Sequence, residues 1–286
     1  MALIFAIVSA LIVGGLLWVF DQKLGFYLIL LFPAVAGIIV GTITAKGINV
    51  GKLRNPMLAG LICMLGGLLA TGTYHFLNYQ FGFRNDVRQA ISAQNSGVNP
   101  SELKVQKAVD DYLRGQVGDT GFVGFLKVEI KQGISISRGS SNSGAVLTDA
   151  WAAGYFIFEG LVVAGLAALW GASAAREPFD EKANAWFGRS AFFGAVSVEQ
   201  ADLLVTALRT GSFEQAGNLV RPQWSEPNSS RIELHARFSP DKNAAETVLE
   251  VKAVTPGKKK NEQVSKILMS GLLRREDLMH LLPTKI

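Results

Sequence analysis

The chain has 286 residues, of which 49% are hydrophobic and only 18% charged. So apolar a composition excludes an ordinary soluble globular protein, and a net charge of +5 is too small to indicate a nucleic-acid partner. The single cysteine, Cys63, excludes a disulfide framework and a thiolate metal site.

The apolar residues collect in three blocks before residue 80 and one after residue 148. A bilayer span needs about 20 of them. Residues 2–20 form the first block. It lacks the basic start of a signal peptide, and its core is longer than the usual ~7–15 residues, so it is expected to be a retained helix. Asp21, Gln22 and Lys23 are expected to turn the chain into a second span, 25–44. Pro33, near the middle of that span, is expected to free the carbonyl of Ile29. At membrane depth such a carbonyl needs cover from another helix, water or a side chain. Gly37 and Gly41 form a small-xxx-small pair, a close-packing surface for a neighbouring helix.

The next loop holds Lys46, Lys52 and Arg54 and no acidic residue. It ends in Asn55-Pro56, a helix N-cap followed by proline at the first helical position. The third span, 57–79, turns polar in its second half at Thr71, Thr73, Tyr74 and His75. The basic loop is placed in the cytoplasm by the positive-inside rule. Both termini are then cytoplasmic, and residues 80–149 lie on the other side.

Residues 80–149 are expected to be a small α+β insert. Ser101 caps a helix in which Val105, Ala108, Val109, Tyr112 and Leu113 recur at helical spacing, with Gly115 at its exit. Leu126, Val128 and Ile130 then alternate with charged residues, and Ile134 and Ile136 alternate with serines, which predicts a hairpin. A three-residue turn, Lys131-Gln132-Gly133, keeps both apolar sets on one face. Residues 138–144 are Ser/Gly-rich and are expected to be a linker.

The fourth span, 150–172, is broken near its centre by Glu159. A central acidic residue costs about 3 kcal/mol on the insertion scale, while each of eight large apolar neighbours returns about 0.3–0.6. The sum is near zero, so this helix is expected to need partners. Gly160, Ala164 and Ala168 give it a smooth face that aims Glu159 into the bundle. Thr71 and Thr73 should lie at comparable depth, with His75 about a turn further out.

Residues 173–286 are expected to form a small cytoplasmic α+β domain. A helix opens at 197–200 and runs to Leu208, and a Thr210-Gly211-Ser212 turn leads into a second through Leu219. This pair is too short and too poor in basic residues for a DNA-binding unit. Residues 222–230 form a loop. Ile232, Leu234, Ala236 and Phe238 alternate with Arg231, Glu233, His235 and Arg237, a half-buried strand. Leu249, Val251 and Ala253 mark a second strand, 264–269 a third, and a final helix occupies 274–282 before Pro283. The expected fold class is thus a membrane all-α four-helix bundle with an α+β extracytoplasmic insert and an α+β cytoplasmic domain.

The intramembrane polar candidates are Glu159, Thr71, Thr73 and His75. An ionisable residue at membrane depth binds a proton or cation, or else bridges helices as a structural hydrogen-bonding group; the second role is the expectation. His75 has no second metal ligand near it in sequence, and neither metal nor cofactor is expected. His235 is expected on a solvated strand face and His280 on a helix surface. Lys258, Lys259 and Lys260 form a solvated turn, or else a membrane-surface patch attracted to anionic lipid headgroups, each lysine adding about 1 kcal/mol. The sequence contains no P-loop, nucleophile elbow, HExxH or dinucleotide glycine pattern.

Two turns of the tail, 178–186 just after the fourth span and 238–242 after a strand, resemble the knuckles of a membrane-tethered zinc ribbon. The plan is similar to bacterial multipass membrane proteins with such a cytoplasmic tail, which implies a bacterial inner membrane. Each knuckle of such a ribbon carries Cys-x-x-Cys. The matching positions here are Asp180/Ala183 and Ser239/Lys242, so a tetrahedral thiolate site is excluded. The expected partners are the lipid bilayer and a cytoplasmic protein. The function expected first is a non-enzymatic interaction or assembly protein acting through its tail. A small proton- or ion-coupled transporter using Glu159 comes second, and a membrane-embedded enzyme third.

Overall fold

A computed structural model of the chain describes residues 1–24, 31–94, 98–136, 145–225, 229–257 and 262–281. The chain divides into two compact units, Met1–Arg176 and Glu177–Ile286.

The first unit begins with α1 (Ala2–Leu24), one unbroken helix. Asp21, Gln22 and Lys23 are its closing turn and not the tight turn expected of them, since none of the three breaks a helix. The second helix, α2 (Leu31–Val50), runs past the expected end at residue 44 and includes Lys46, while residues 25–30 of the expected span lie outside the described residues. Pro33 lies within the described part of α2. Ile29, whose carbonyl was to be freed, lies outside the described residues.

The third helix, α3 (Pro56–Leu77), starts at the expected cap. The Asn55 side-chain oxygen accepts from the N–H groups of Met57 and Leu58 at 3.0 and 3.1 Å, and Pro56 occupies the first helical position. The helix does not end near residue 79. It continues through a π turn, Asn78–Phe83, into α4 (Arg84–Gln94).

The insert is chiefly helical. α5 (Glu102–Val117) buries Val105, Val109 and Leu113, and runs past Gly115 to a left-handed stop at Gly118, φ 73°. α6 (Gly121–Gln132) overturns the first strand of the predicted hairpin and its three-residue turn. The alternation at Leu126, Val128 and Ile130 is genuine, but apolar residues also recur at helical spacing through Phe122, Phe125 and Leu126. Packing of Phe125 and Val128 against Tyr79 and α5 decides between the two periods. The strands β1 (Ile134–Ile136) and β2 (Ala145–Leu147) pair antiparallel as a short ribbon. The linker expected at 138–144, like Ser137, lies outside the described residues.

From the ribbon, α7 (Asp149–Ala174) returns along α2 and α3. The face of α7 that meets them is built of Val163, Ala164, Ala167 and Gly171, and it lets the backbones close up. A Cβ on Gly37 would stand 2.7 Å from the Val163 carbonyl oxygen, and one on Gly67 would stand 2.8 Å from the Ala164 Cα. Between α1 and α2, the buried hydroxyls of Ser9 and Thr44 lie 3.4 Å apart. By length and composition, α1, α2, the α3–α4 rod and α7 are each able to cross a membrane.

The second unit opens with a small hairpin, β3 (Phe179–Asp180) and β4 (Ala185–Trp186). It continues through β5 (Ala191–Ser197), α8 (Ala201–Arg209), α9 (Phe213–Leu219), β6 (Arg231–Phe238), β7 (Glu246–Pro256), β8 (Gln263–Arg274) and α10 (Arg275–Leu281). The sheet is antiparallel in the order β5-β6-β7-β8. Period-two alternation sorts its faces. Ile232, Leu234, Leu249 and Val251 pack on Leu204, Leu208, Ala216, Leu278 and Leu281 of the three helices. The opposite face carries Arg231, Glu233, His235 and Arg237 of β6, and Glu250 and Lys252 of β7. The outer edge of β5 is partly covered, because Ala195 and Arg221 exchange two backbone hydrogen bonds of 2.9 and 2.8 Å. At the other edge, β8 exposes Val264, Ile267, Leu268 and Leu272.

Candidate functional site

Glu159 is 3% exposed, although it sits close to the middle of a helix apolar enough to span a membrane. It shares one face of α7 with Tyr155, one turn earlier. Both Tyr155 and Tyr74 of α3 are within electrostatic reach of its carboxylate. Tyr74 donates its hydroxyl to Oδ2 of Asp21, on the last turns of α1, at 3.1 Å. It also feels the charge of Glu129, on α6. Of these three carboxylates, Asp21 is the one that bonds the tyrosine, and Glu159 and Glu129 act on it through their charge alone.

His75 extends this group. Its Nδ1 lies 3.5 Å from Oε2 of Glu129, and its ring meets the edges of Tyr74 and Phe156 at centroid distances of 4.9 and 5.1 Å. Asn78 donates to the other oxygen of Glu129 at 3.4 Å, and Gln22 donates to Asn78 at 3.3 Å. Asn78 begins the π turn. The extra residue in such a turn shifts the helical phase, and π turns recur at functional sites for that reason. The carboxylates, imidazole and phenols of this group are all able to hold protons.

The two threonines do not join this group through their hydroxyls. Thr71 donates back to the carbonyl of Gly67 at 3.3 Å, and Thr73 to that of Leu69 at 2.8 Å. Thr73 packs beside Gly14 of α1, while Thr71 lines a groove of about 420 Å³ bounded by α3, α6 and α7. Leu68 and His75, Phe156 and Leu161, and Leu126 and Ile130 form its three walls.

The sequence singles out Glu159 and His75 but not Tyr155, one turn before Glu159, Glu129 beside His75, or Asp21 bonded to Tyr74. Asp21 was assigned to a turn and Glu129 to the polar side of a strand, and a helical phase for either segment would have pointed both inward. Tyr74 was noted only as part of the polar end of its span. Lys258, Lys259 and Lys260 lie outside the described residues.

In the second unit, the charged sheet face is a paired network and not a solvated surface. Arg231 is 8% exposed and Glu250 3%. Glu233 bonds Arg231 and, at 2.9 Å, His235; Glu250 bonds Arg237 at 2.6 Å, Lys252 at 2.8 Å and Ser190 at 3.1 Å. This corrects the expectation for His235, whose neighbour Phe192 covers it edge to face. Burial pushes both carboxyls up, but bonds to their cationic partners outweigh it, and both sit below the usual carboxylate range. The two turns that resemble zinc-ribbon knuckles are joined through Asp180. Its carboxyl bonds the Ser239 side chain and the N–H groups of Ala183 and Lys182, which hold it below the usual range.

Among the described residues no three His, Cys, Asp or Glu side chains converge with metal-ligand geometry. Comparison with known proteins found no matching family model, no matching curated protein and no matching solved structure.

Proposed function

We propose that the chain is a four-pass protein of a bacterial inner membrane, with both termini cytoplasmic, and that it works as a membrane-anchored interaction or assembly protein through its tail. Support for the orientation comes from Lys46, Lys52 and Arg54 at the α2–α3 junction, a basic cluster with no acidic residue.

The observation that carries the interaction reading is the β8 edge. It is twelve residues long, presents unpaired backbone groups on one side, and leaves Ile267 and Leu272 55% and 66% exposed. The edge carries a bulge at Leu268 and the charges of Lys266 and Arg274, two of the devices that blunt an edge, but among the described residues no further strand pairs with it. An open apolar edge suits a partner that adds a strand, its backbone supplying affinity and alternate side chains specificity. The test is a photo-crosslinking amino acid placed at Ile267 in membranes. Crosslinks to a defined protein, lost when Leu268→Pro breaks the edge, are the expected result. Crosslinks spread over unrelated proteins, or unaffected by the proline, would reject it.

A second reading, a proton- or ion-coupled transporter, draws on the burial of Glu159 within electrostatic reach of Tyr155 and Tyr74. Its test is pH-linked flux in vesicles containing the wild-type chain or Glu159→Gln. Flux lost in the variant supports it, and no flux in either removes it.

A further inference from the structure

The groove between α3, α6 and α7 takes no part in either reading. Leu68 and Leu161 lie near the midpoints of their helices, and His75 lies seven residues beyond Leu68 on α3. At 1.5 Å per residue the groove is about 10 Å long and runs from the middle of the bundle toward the insert. Half of a hydrocarbon core is about 15 Å. Phe122, Leu126 and Ile130 roof it at the insert end, one face of α6 at i, i+4 and i+8. The wall is apolar along its length, because the Thr71 hydroxyl is turned back onto its own helix.

Two glycines keep it open. A Cβ on Gly72 would meet nothing within 4 Å, and one on Gly160 would meet only the Leu68 side chain at 3.8 Å. Gly37 and Gly67 serve close helix packing; Gly72 and Gly160 leave space.

We propose that this groove is a binding site for a membrane phospholipid, one acyl chain lying along α3 and α7 and the glycerol end at the level of His75. The proposal rests on the membrane placement given above. The groove's direction, its length within one leaflet and its apolar wall with polar groups only at the outer end all match one lipid chain. A partner transmembrane helix does not fit: it needs about 20 residues of uninterrupted face, and α6 closes this one at the insert end.

The full-length protein is reconstituted with a phospholipid carrying a photoactivatable diazirine on one acyl chain, and labelled residues are mapped after digestion. Ile157 and Leu161 are expected to label several-fold more than Leu3 and Leu11 of α1, which are also exposed. Gly72→Phe combined with Gly160→Phe fills the groove and should remove the excess while leaving α1 labelling unchanged. If that pair fails to fold, as judged by thermal unfolding, Gly72→Leu alone takes its place. Equal labelling of α7 and α1, or an excess that survives filling, would overturn the site and leave the membrane placement standing. Absence of label from α1 as well would overturn the membrane placement and the site with it.

Discussion

His75 Nδ1 and Glu129 Oε2 face each other at 3.5 Å, and among the described residues neither buried atom has a hydrogen bond. The pair, together with the bond from Asn78 to the other Glu129 oxygen, ties the third apolar helix to the amphipathic helix of the insert inside an aromatic surround. Deleting one partner strands the other, which is costlier than deleting both. We predict that Glu129→Ala and His75→Ala each lower the unfolding temperature in detergent. The double variant should lose less than the sum, with a coupling of about 1–2 kcal/mol. Strict additivity would mean that the two groups do not interact.

The α3–α7 contact predicts an asymmetry between two glycines only five residues apart. At Gly67 the obstacle is the Ala164 backbone, which cannot swing aside. Overpacking of this kind costs about 1–3 kcal/mol, and Gly67→Leu should fall at the upper end. Gly72→Leu points into open space and should change stability by less than about 0.5 kcal/mol. Thermal unfolding of the two variants in the same detergent separates them, and equal losses would contradict the packing described.

These contrasts show where sequence was a sufficient guide. Twenty-residue apolar runs declare long helices because composition alone decides them, and Asn55-Pro56 declares a helix start because cap chemistry is local. The β6 strand was legible from its alternation, since one of its faces packs on helices. Glu159 stood out as a lone charge in an apolar run. The partners of Tyr74 and His75 were hidden because Asp21 and Glu129 lie far from them in sequence, each in a segment compatible with another local structure. The 126–130 stretch satisfies both a strand and a helix period, and only contact with Tyr79 and α5 chooses. Likewise the charges of β6 looked solvated because their partners, Glu233 on the same strand face and Glu250 on β7, are recognised only once the strand and its register are formed.

Those partners carry a pH dependence. The folded carboxyls of Glu233 and Glu250 sit below the ordinary glutamate value near 4.3. A depressed folded value contributes stability that is fully present above the unfolded value and is lost as pH falls through the folded one. Hydrogen exchange on the full chain should therefore show β6 and β7 well protected at neutral pH and progressively opened below about pH 4. In the double variant Glu233→Gln/Glu250→Gln the acid transition should shrink, and protection at neutral pH should fall toward that of the acidified wild type. An acid transition of unchanged size would assign it to other groups.

The register of β8 gives the sharpest test of the tail. Leu273 stands opposite Thr247 and is 8% exposed, whereas Leu272 stands opposite Val248 and is 66% exposed. Successive strand residues face opposite sides, so a slip of one position would exchange them. Leu273→Lys buries an unpaired charge against the helices and should cost about 3 kcal/mol or more. Leu272→Lys should leave stability within about 0.5 kcal/mol and add a charge to the edge that is proposed to receive a partner strand. Denaturant unfolding followed by hydrogen exchange in β7 reads both effects in the full chain. A reversal, with Leu272→Lys the costlier change, would place the opposite face of β8 on the core and remove the apolar edge on which the interaction reading stands.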